Sequence, residues 1–520
     1  MPAPGEIARP GGTFVHTFAD PLARAERVAA ARVAVVDGDR QLTYAELGRR
    51  CRRLAGALGE LTEPGDRVAV LAANSAPYLE LYVTVPASGR VIVPLNTRHA
   101  EPELRYALTD GGVRVLFCDR DPGGLADVVE RVVRIDEIDG ASAYEDLVAA
   151  ASPVPLGTGV ESSSLAGLFY TGGTTGASKG VMLTHANLIA NAINELIACG
   201  FTDADSYLVM APMFHAAGTV AVLSMIWAGG TQVMLGAFDP AKALELIETH
   251  HVTATLGVPT MIAALADTQL ASGRDVSSLR HLSHGGSPIA SEVVRRAAKA
   301  FGDAELVHLY GATETAPLAT ALRDEQELLD SPLIRSCGPA VIGVEVRVAT
   351  LEGTDPLPDG DIGEVLVRGA NVMAGYWNKP EQTAAVLVDG WYRTGDLGWM
   401  DDQGRVYLVD RAKDMIVTGG ENVYSTEVEE VLFLHPDVKE ACVFGIPDER
   451  WGEAVHAVVV PARSDVDTAA LVEFCRSHIA TYKVPKSIEL RDTPLPVSGP
   501  GKVLKRELRR PFWEGSERTI

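Results

Sequence analysis

The side chains best suited to chemistry lie together in one short stretch, from Tyr170 to Val181, of a chain of 520 residues. These twelve positions hold four glycines, three threonines, one serine and one lysine, directly after the apolar run 165–169. Glycine lets the backbone turn tightly and expose its N–H groups, threonine adds hydroxyl donors, and Lys179 adds a positive charge. The composition therefore indicates a loop that binds a polyphosphate.

The spacing inside this loop differs from two familiar phosphate-binding patterns. A Walker loop has glycine before its lysine and serine or threonine after it, whereas Ser178 precedes Lys179 and Gly180 follows it. The glycines also lack the dinucleotide-binding spacing. An exposed flexible turn would have a similar composition, so the assignment depends on the rest of the chain.

Further short motifs follow the loop, and each of them alone has an ordinary structural explanation. His215 is compatible with a buried core histidine, and Glu314 with a solvated loop charge. Their order and spacing carry the information, because so many motifs do not follow one another by coincidence. The motifs occupy 212–218, 257–260, 284–288, 310–315, 363–364, 375–377, 392–398, 410–416, 419–424 and 501–502.

Taken with the loop, this series resembles the adenylate-forming superfamily, which includes acyl-CoA synthetases, aryl-CoA ligases, luciferases and the adenylation domains of peptide synthetases. The resemblance covers residues 20–510, nearly the whole chain, and is strongest to acyl-CoA synthetases of the fatty or aryl acid type. It implies an α/β fold. A large N-terminal layered α/β adenylation domain would span 1–411, and a small mobile α+β C-terminal domain would span 412–520.

The residue pattern supports this fold class independently. Strand and helix patterns alternate over 41–120, where a capping box from Thr43 to Glu46 opens a helix predicted to run to Leu58. Repeated strand–helix–strand units predict a mostly parallel sheet covered by helices. The predicted strands are 67–72, 91–95 and 113–118, and a further helix is predicted at 101–108.

The sequence departs from the superfamily's usual pattern at three positions. Gly172 stands where serine is usual, Ser178 where proline is usual, and Ser425 where proline is frequent. The first departure removes one hydroxyl that could donate to a phosphate, although backbone N–H groups remain.

The resemblance implies a two-step reaction. The substrate carboxylate attacks the α-phosphorus of ATP and expels pyrophosphate, and the thiol of CoA then displaces AMP. The protein's share of such chemistry is positioning and charge neutralisation.

The implied catalytic residues are Lys502, Glu314 and Thr313, with Glu314 also as the ligand of Mg²⁺, since a hard cation prefers carboxylate and phosphate oxygen. The implied ATP-binding residues are Thr171, Gly172, Gly173, Thr174, Thr175, Gly176, Lys179, Gly286, Ser287, Pro288, His308, Leu309, Tyr310, Gly311, Asp396 and Arg411.

Other implied roles belong to the small domain. Lys413 corresponds to the hinge about which this domain rotates after adenylation. The rotation would withdraw Lys502 from the active site. It would bring Gly419 and Gly420 to a narrow passage for pantetheine, and Trp451 would contact the CoA nucleotide.

The predicted acyl pocket is apolar, and small residues such as Ala217 and Gly311 are expected to make it roomy. Four stretches expected to line it contain no Lys or Arg, so a second carboxylate on the substrate would have no counter-ion; these stretches are 211–230, 254–264, 282–290 and 308–320. An amino acid is also disfavoured, because the resemblance to peptide-synthetase domains implies an aspartate for the amine near the position of His215, and none is there. The sequence therefore predicts an apolar monocarboxylic acid of medium or longer chain. The predicted lining consists of Phe214, His215, Ala216, Gly218, Val258, Gly285, Ala312 and Thr315.

Composition limits the other partners. The formal net charge of −23 disfavours nucleic acid, although 480–510 holds 8 basic against 3 acidic residues and suits an anionic ligand. The six cysteines include no CxxC pair, which favours reduced thiols over zinc or disulfides. No secretory leader is recognisable, and polar residues interrupt the longest apolar tract, 219–235. We expect a cytoplasmic enzyme without a transmembrane segment, whose oligomeric state is open, with a dimer as one option.

Four hypotheses follow. The first is a CoA ligase for an apolar acid. The second is an acyl-AMP ligase that loads an acyl-carrier protein, since the carrier also presents pantetheine. The third is a luciferase-like monooxygenase, which would share every motif. The fourth is a non-catalytic adenylate-binding protein, which the presence of Lys502, Glu314 and Asp396 disfavours.

Overall fold

The computed structural model of the chain describes residues 16–136, 142–171, 178–287, 289–411, 414–419, 421–448, 450–463, 465–497 and 503–514. The helices in these ranges are α1 (Ala19–Val28), α2 (Tyr44–Leu61), α3 (Ala76–Ala87), α4 (Glu101–Asp110), α5 (Ala143–Ala150), α6 (His185–Cys199), α7 (Ala216–Ala228), α8 (Pro240–His250), α9 (Pro259–Ser272), α10 (Ser291–Phe301), α11 (Pro380–Val386), α12 (Ser425–Phe433), α13 (Thr468–His478) and α14 (Lys505–Trp513). Short 3₁₀ helices cover Gly123–Val128, Thr313–Thr315, Glu325–Leu328, Pro332–Arg335 and Thr481–Lys483.

The strands of the large sheets and their connections come first along the chain. They are β1 (Val33–Asp37), β2 (Arg40–Thr43), β3 (Arg67–Leu71), β4 (Val91–Pro94), β5 (Val113–Cys118), β6 (Arg131–Arg134), β7 (Leu165–Thr171), β8 (Lys179–Thr184), β9 (Ser206–Val209), β10 (Thr231–Met234), β11 (Ala254–Gly257), β12 (His281–Gly285), β13 (Glu305–Tyr310) and β14 (Thr320–Leu322). The later strands are β15 (Val344–Ala349), β16 (Gly363–Gly369), β17 (Gly375–Tyr376), β18 (Leu387–Val388), β19 (Trp391–Met400), β20 (Val406–Arg411), β21 (Ile416–Thr418), β22 (Glu421–Val423), β23 (Val438–Asp448), β24 (Gly452–Pro461) and β25 (Ser487–Leu490).

Two large, mostly parallel sheets form the body of the molecule. One has the strand order β14-β13-β12-β11-β9-β10-β1-β2, with antiparallel pairs only at its two edges. The other has the order β17-β8-β7-β4-β3-β5-β6 and is parallel from β7 to β6. Parallel strands need crossover connections, which the helices between them supply. The predicted layered α/β fold is thus confirmed.

Two smaller sheets follow in the later part of the chain. An antiparallel sheet joins β15, β16, β19 and β18, with β20 paired to β19. The last sheet has the order β22-β21-β24-β23, with β25 paired to β24. Helices α12 and α13 pack on this sheet around a separate apolar core that includes Ile416, Val455 and Leu471.

Local signals in the sequence located the early elements closely. The capping box is present, because the Thr43 hydroxyl accepts from the Glu46 N–H and the Glu46 carboxylate accepts from the Thr43 N–H, and α2 begins at Tyr44. The helix continues three residues beyond the predicted end at Leu58. The predicted strand 113–118 matches β5.

Helix α3 lies between the two large sheets and contacts strands of both. Every residue of α3 except Pro77 is buried, including the carboxylate of Glu80. That carboxylate accepts two hydrogen bonds from the Arg50 guanidinium, at 2.6 and 3.0 Å, and one from the Tyr144 hydroxyl, at 2.5 Å. A buried charge needs such partners, so this ion pair is part of the central core.

Among the described residues, no helix has both the length and the apolar character needed to cross a bilayer.

The change from the antiparallel sheet that contains β20 to the last sheet falls between Arg411 and Ile416. The predicted domain boundary at 411/412 is compatible with this change and stays a prediction. The predicted hinge, Lys413, lies outside the described residues.

A buried polar network joins β20 to α12 and α14, the first and last helices of the part of the chain from Ile416 to Trp513, which we call the small unit. The Asp410 carboxylate accepts from the Ser425 N–H at 2.5 Å and from the Ser425 hydroxyl at 3.2 Å. The Lys505 ammonium donates to the Ser425 hydroxyl at 2.6 Å and pairs with Glu429 at 2.8 Å. Burial raises the pKa of Asp410 above its ordinary value, although Lys505 and the bonds from Ser425 act in the opposite direction. The serine that replaces the superfamily's frequent proline therefore supplies two bonds that proline cannot make.

We expect Ser425→Pro to destabilise the protein. Ser425 is the first residue of α12, where proline is well tolerated, so the cost should come from the lost bonds to Asp410 rather than from the helix. A hydrogen bond to a charged group contributes about 1.5–3 kcal/mol, so thermal unfolding should show a clearly lower Tm. Ser425→Ala keeps the N–H and should lose less. Equal Tm values for the wild type and Ser425→Pro would mean that the network adds no stability.

Candidate active-site cleft

The candidate site lies where strands of both large sheets end, and we refer to this region as the cleft. Thr171, the last residue of β7, pairs with Lys179, the first residue of β8, so the glycine- and threonine-rich loop joins neighbouring strands. In the other sheet, Gly285 and Leu309 are paired at the ends of the parallel strands β12 and β13. Parallel strands that end together send their following loops to the same edge, which is where such folds bind ligands.

Glu314 lies in the 3₁₀ helix after β13, and Tyr376 holds its carboxylate. The Tyr376 hydroxyl donates to Glu314 Oε1 at 2.8 Å, and the Glu314 backbone carbonyl accepts from the Met373 N–H at 2.8 Å. The Lys179 ammonium lies 4.8 Å from the centre of the Tyr376 ring. The structure thus brings two predicted site residues, Glu314 and Lys179, to one tyrosine.

The donor set at Glu314 fits Mg²⁺. Its side chain is partly exposed, and within the described ranges only Oε1 accepts a hydrogen bond, so Oε2 is available to a cation. Mg²⁺ is commonly bound through one or two carboxylates together with substrate phosphates, and it keeps several waters.

Two asparagines hold the turn that follows Glu314. The Asn371 amide donates to the carbonyls of Thr315 and Leu318, at 2.8 and 2.7 Å, and the Leu318 N–H donates to Asn191 Oδ1 at 2.9 Å. Both asparagines are buried. The backbone around Glu314 is therefore fixed from two sides.

Asp396, Tyr310 and Arg411 come together at a second point of the cleft. The Tyr310 hydroxyl donates to Asp396 Oδ2 at 2.8 Å, and Arg411 Nε lies 3.1 Å from Asp396 Oδ1. Burial, and next the Asp396 charge, raise the pKa of Tyr310 well above its ordinary value, so the phenol stays a neutral donor. One hydrogen bond and one ion pair thus bring three predicted ATP-binding residues into one group.

His308 stacks on a histidine that the sequence analysis did not assign. The rings of His308 and His284 lie 4.7 Å apart at 22°, and His284 Nε2 lies 2.6 Å from Glu325 Oε2. Burial, followed by the nearby His284, lowers the pKa of His308 to about 4, so its ring is neutral at pH 7.

These three side chains have the right chemistry for a metal ion, since their ligand atoms lie within 4.8 Å of one another. The contact of 2.6 Å between His284 and Glu325 is, however, shorter than the separation of about 3.3 Å that two ligands of one tetrahedral zinc would have. We therefore assign the contact as a hydrogen bond. Glu325 is 41 residues from His284 in the chain, so no local spacing could have predicted the pair.

The predicted acyl-pocket residues differ in exposure. Phe214, His215 and Ala312 are partly exposed, and His215 Nδ1 accepts from the Ala217 N–H at 3.3 Å as α7 begins. The others are buried: Ala216, Gly218, Val258, Gly285 and Thr315. Three of the eight predicted lining residues are therefore partly exposed.

The glycines of this region allow neighbouring backbone segments to approach each other closely. They do not enlarge a pocket. A Cβ on Gly218 would lie 1.9 Å from the Pro212 carbonyl oxygen, and one on Gly311 would lie 1.8 Å from the Pro317 carbonyl oxygen. At Gly285 the distance to the Leu309 carbonyl oxygen would be 2.3 Å. The expectation that small residues here make the pocket roomy is therefore wrong for these positions.

Trp451 in the small unit is accessible and has cations near its ring. It is 40% exposed, with the Arg450 guanidinium 4.7 Å and the Lys486 ammonium 6.0 Å from the ring centre. Gly419 packs against the same indole, since a Cβ on it would lie 2.7 Å from Trp451 Cε3, and its φ is +62°. An aromatic face with nearby cations suits a nucleotide that carries phosphates.

Nine predicted site residues lie outside the described residues, and their roles stay predictions. They are Gly172, Gly173, Thr174, Thr175, Gly176, Pro288, Lys413, Gly420 and Lys502.

Comparison with known proteins decides the family. The AMP-binding enzyme family matches residues 22–377, and the family of the AMP-binding enzyme C-terminal domain matches residues 427–502. The chain belongs to this family. It is 42% identical to feruloyl-CoA synthase of an Amycolatopsis species, over 95% of this chain and 98% of that protein.

Other relatives differ in acid and in acceptor. The fatty acid–[acyl-carrier-protein] ligase ScoC of Streptomyces coeruleorubidus is 37% identical, over 94% of this chain and 95% of its own. The long-chain-fatty-acid–CoA ligase FadD13 of Mycobacterium tuberculosis is 34% identical, over 91% and 94%. The predicted enzyme class is confirmed: the chain is an ATP-dependent, AMP-forming acid–thiol ligase.

Solved structures agree with this family fold. ATP-bound MatB from Rhodopseudomonas palustris has a TM-score of 0.87 and 32% identity, and the match covers 97% of this chain and all 100% of MatB. The o-succinylbenzoate CoA synthetase MenE from Bacillus subtilis, solved with ATP and magnesium ion, has a TM-score of 0.83 and 29% identity, over 94% of this chain and 98% of its own.

We expect Gly311→Ala to reduce both stability and activity. The new methyl group would overlap the Pro317 carbonyl, so the segment that carries Glu314 would have to shift. Shifts of about 1 Å in an active site cost on the order of 10²-fold in rate. Gly353→Ala is the control, because the nearest atom to its Cβ would be 3.6 Å away. Wild-type pyrophosphate release by Gly311→Ala would contradict this account of the glycine.

Proposed function

We propose that the protein converts an apolar monocarboxylic acid, either an aryl acid or a medium-chain fatty acid, into its acyl-adenylate and then into its CoA thioester. The observation that carries the proposal is the grouping in one cleft of the Tyr376–Glu314 pair with Lys179 and of the Tyr310–Asp396 pair. A cation-binding carboxylate, an ammonium and a hydrogen-bonding carboxylate are the groups that ATP needs.

Each group has a role in the first half-reaction. Glu314 would hold Mg²⁺, which when bound neutralises charge on the phosphates. Lys179 would contact the terminal phosphates, while Asp396 would accept from the ribose hydroxyls. The substrate carboxylate attacks the α-phosphorus and pyrophosphate leaves, with Lys502 as the proposed cation at the attacking oxygen.

Two observations support a compact apolar acid. The partly exposed residues Phe214 and Ala217 lie near the start of α7, whereas every residue of α7 from Gly218 to Ile226 is buried. The chain is also more similar to an enzyme named for feruloyl-CoA, at 42%, than to FadD13, at 34%. We therefore add aryl acids to the acids of medium or longer chain that the sequence favoured, and among the fatty acids we place the long-chain ones last.

A panel of acids tests this proposal. Pyrophosphate release is measured with and without CoA for ferulate, benzoate, acetate, octanoate, palmitate and malonate. We expect ferulate or octanoate to exceed acetate and malonate by at least about 10-fold in kcat/KM, because each buried methylene contributes about 0.8 kcal/mol. A preference for malonate or acetate would contradict the apolar pocket.

The acceptor is proposed to be CoA because of the Trp451 surface. CoA carries an adenine and several phosphates, which match an exposed indole flanked by Arg450 and Lys486. A carrier protein presents only phosphopantetheine. The similarity to ScoC, at 37%, keeps carrier loading as the second candidate.

The substitution Trp451→Ala separates these acceptors. Stacking of a base on an aromatic ring contributes about 1–3 kcal/mol, so the KM for CoA should rise by roughly 5- to 150-fold while adenylate formation is unchanged. Pantetheine, which lacks the nucleotide, is the matched control acceptor and should be used equally well by both proteins. An unchanged KM for CoA, or the same loss with pantetheine, would contradict the nucleotide contact, and faster transfer to a carrier protein than to CoA would favour carrier loading.

A further inference from the structure

We propose that Tyr376 is a positioning residue of the Mg²⁺–ATP site, which holds Glu314 and Lys179 without letting them neutralise each other. The inference rests on the proposed function, in which Glu314 binds the cation and Lys179 the phosphates. Tyr376 belongs to a short motif of the sequence to which no role had been given.

The tyrosine contacts the two charged groups through different parts of its side chain. Its hydroxyl donates to Glu314 Oε1 at 2.8 Å, and its ring lies 4.8 Å from the Lys179 ammonium. The residue is buried, with only 5% of its surface exposed. One rigid side chain therefore separates a carboxylate from an ammonium.

The backbone fixes this tyrosine relative to Lys179. Tyr376 pairs with Val181 on β8, the strand that begins at Lys179, and its N–H donates to the Thr383 hydroxyl at 2.9 Å. The next residue, Trp377, donates its N–H to the Gly180 carbonyl at 2.8 Å. The ring consequently has little freedom to move away from Lys179.

The chemistry of a phenol suits this separation. A hydroxyl gives the carboxylate a hydrogen bond but adds no positive charge, so Glu314 keeps its full negative charge for a cation. The negative face of the ring attracts an ammonium without removing its charge. Within the described ranges, Lys179 forms no ion pair. A direct Lys179–Glu314 ion pair would use both charges that Mg²⁺ and the phosphates require.

Binding measurements on Tyr376→Phe and Tyr376→Leu test the proposal. In these measurements Mn²⁺ replaces Mg²⁺, and a non-hydrolysable ATP analogue replaces ATP. Electron paramagnetic resonance then measures the concentrations of free and bound Mn²⁺. Tyr376→Phe keeps the ring against Lys179 but loses the hydroxyl, so Mn²⁺ affinity in the ternary complex should fall about 10-fold while metal-free nucleotide binding stays within about 2-fold. Tyr376→Leu loses both contacts, so both affinities should fall.

The matched control is Tyr144→Phe. Tyr144 is a buried phenol that donates to the Glu80 carboxylate at 2.5 Å in the central core. This variant should lower Tm without changing Mn²⁺ affinity. Unchanged Mn²⁺ affinity in Tyr376→Phe, or an equal fall in Tyr144→Phe, would overturn the proposal.

Glu314→Gln distinguishes failure of this inference from failure of the proposed function. If Glu314→Gln leaves Mn²⁺ binding unchanged, the cation role of Glu314 is wrong, and the role proposed for Tyr376 falls with it. If Glu314→Gln removes Mn²⁺ binding while Tyr376→Phe has no effect, only the role of Tyr376 is wrong.

Discussion

The parallel pairing of β12 with β13 is the constraint on which the cleft depends. Its register runs from His281 opposite Glu305 to Gly285 opposite Leu309, so the two strands end side by side. The loops that follow them must therefore leave the same edge, and the backbone segments there approach so closely that Gly285 and Gly311 have no room for a side chain. From this edge Tyr310 reaches Asp396 on β19, while the next turn presents Glu314.

Tyrosine–carboxylate pairs recur in the molecule, and their surroundings differ. Glu80 has a tyrosine partner and also the Arg50 guanidinium, so its charge is neutralised inside the core. Glu314 has a tyrosine partner and, among the described residues, no cationic one. A carboxylate whose only partner is a neutral donor keeps its negative charge, and that charge is then available to a cation. For these two glutamates, the difference distinguishes a carboxylate neutralised inside the core from one whose charge is available to a cation.

Strand β20 connects the cleft with the small unit through adjacent residues. Successive side chains of a strand point to opposite faces. Arg411 pairs with Asp396 in the cleft, whereas Asp410 accepts from Ser425 at the start of α12. The contact in the cleft and the contact to α12 are therefore made by the last two residues of this strand.

The sequence by itself determined the family, the α/β class and the local elements. Ordered motifs and short-range signals, such as the capping box at Thr43, depend on neighbours within a few residues. They can therefore be recognised in the sequence without a structure. It also selected Asp396, Arg411 and Tyr310, which do meet.

Only the tertiary structure decided which partners these residues have. It paired Glu314 with Tyr376, 62 residues away, and His284 with Glu325, and it showed that Gly218 and Gly311 are small because carbonyl oxygens fill the space. Strand register and crossover connections bring distant segments of the chain together and so create these contacts. Residue types and their spacing along the chain do not show which distant segments will meet.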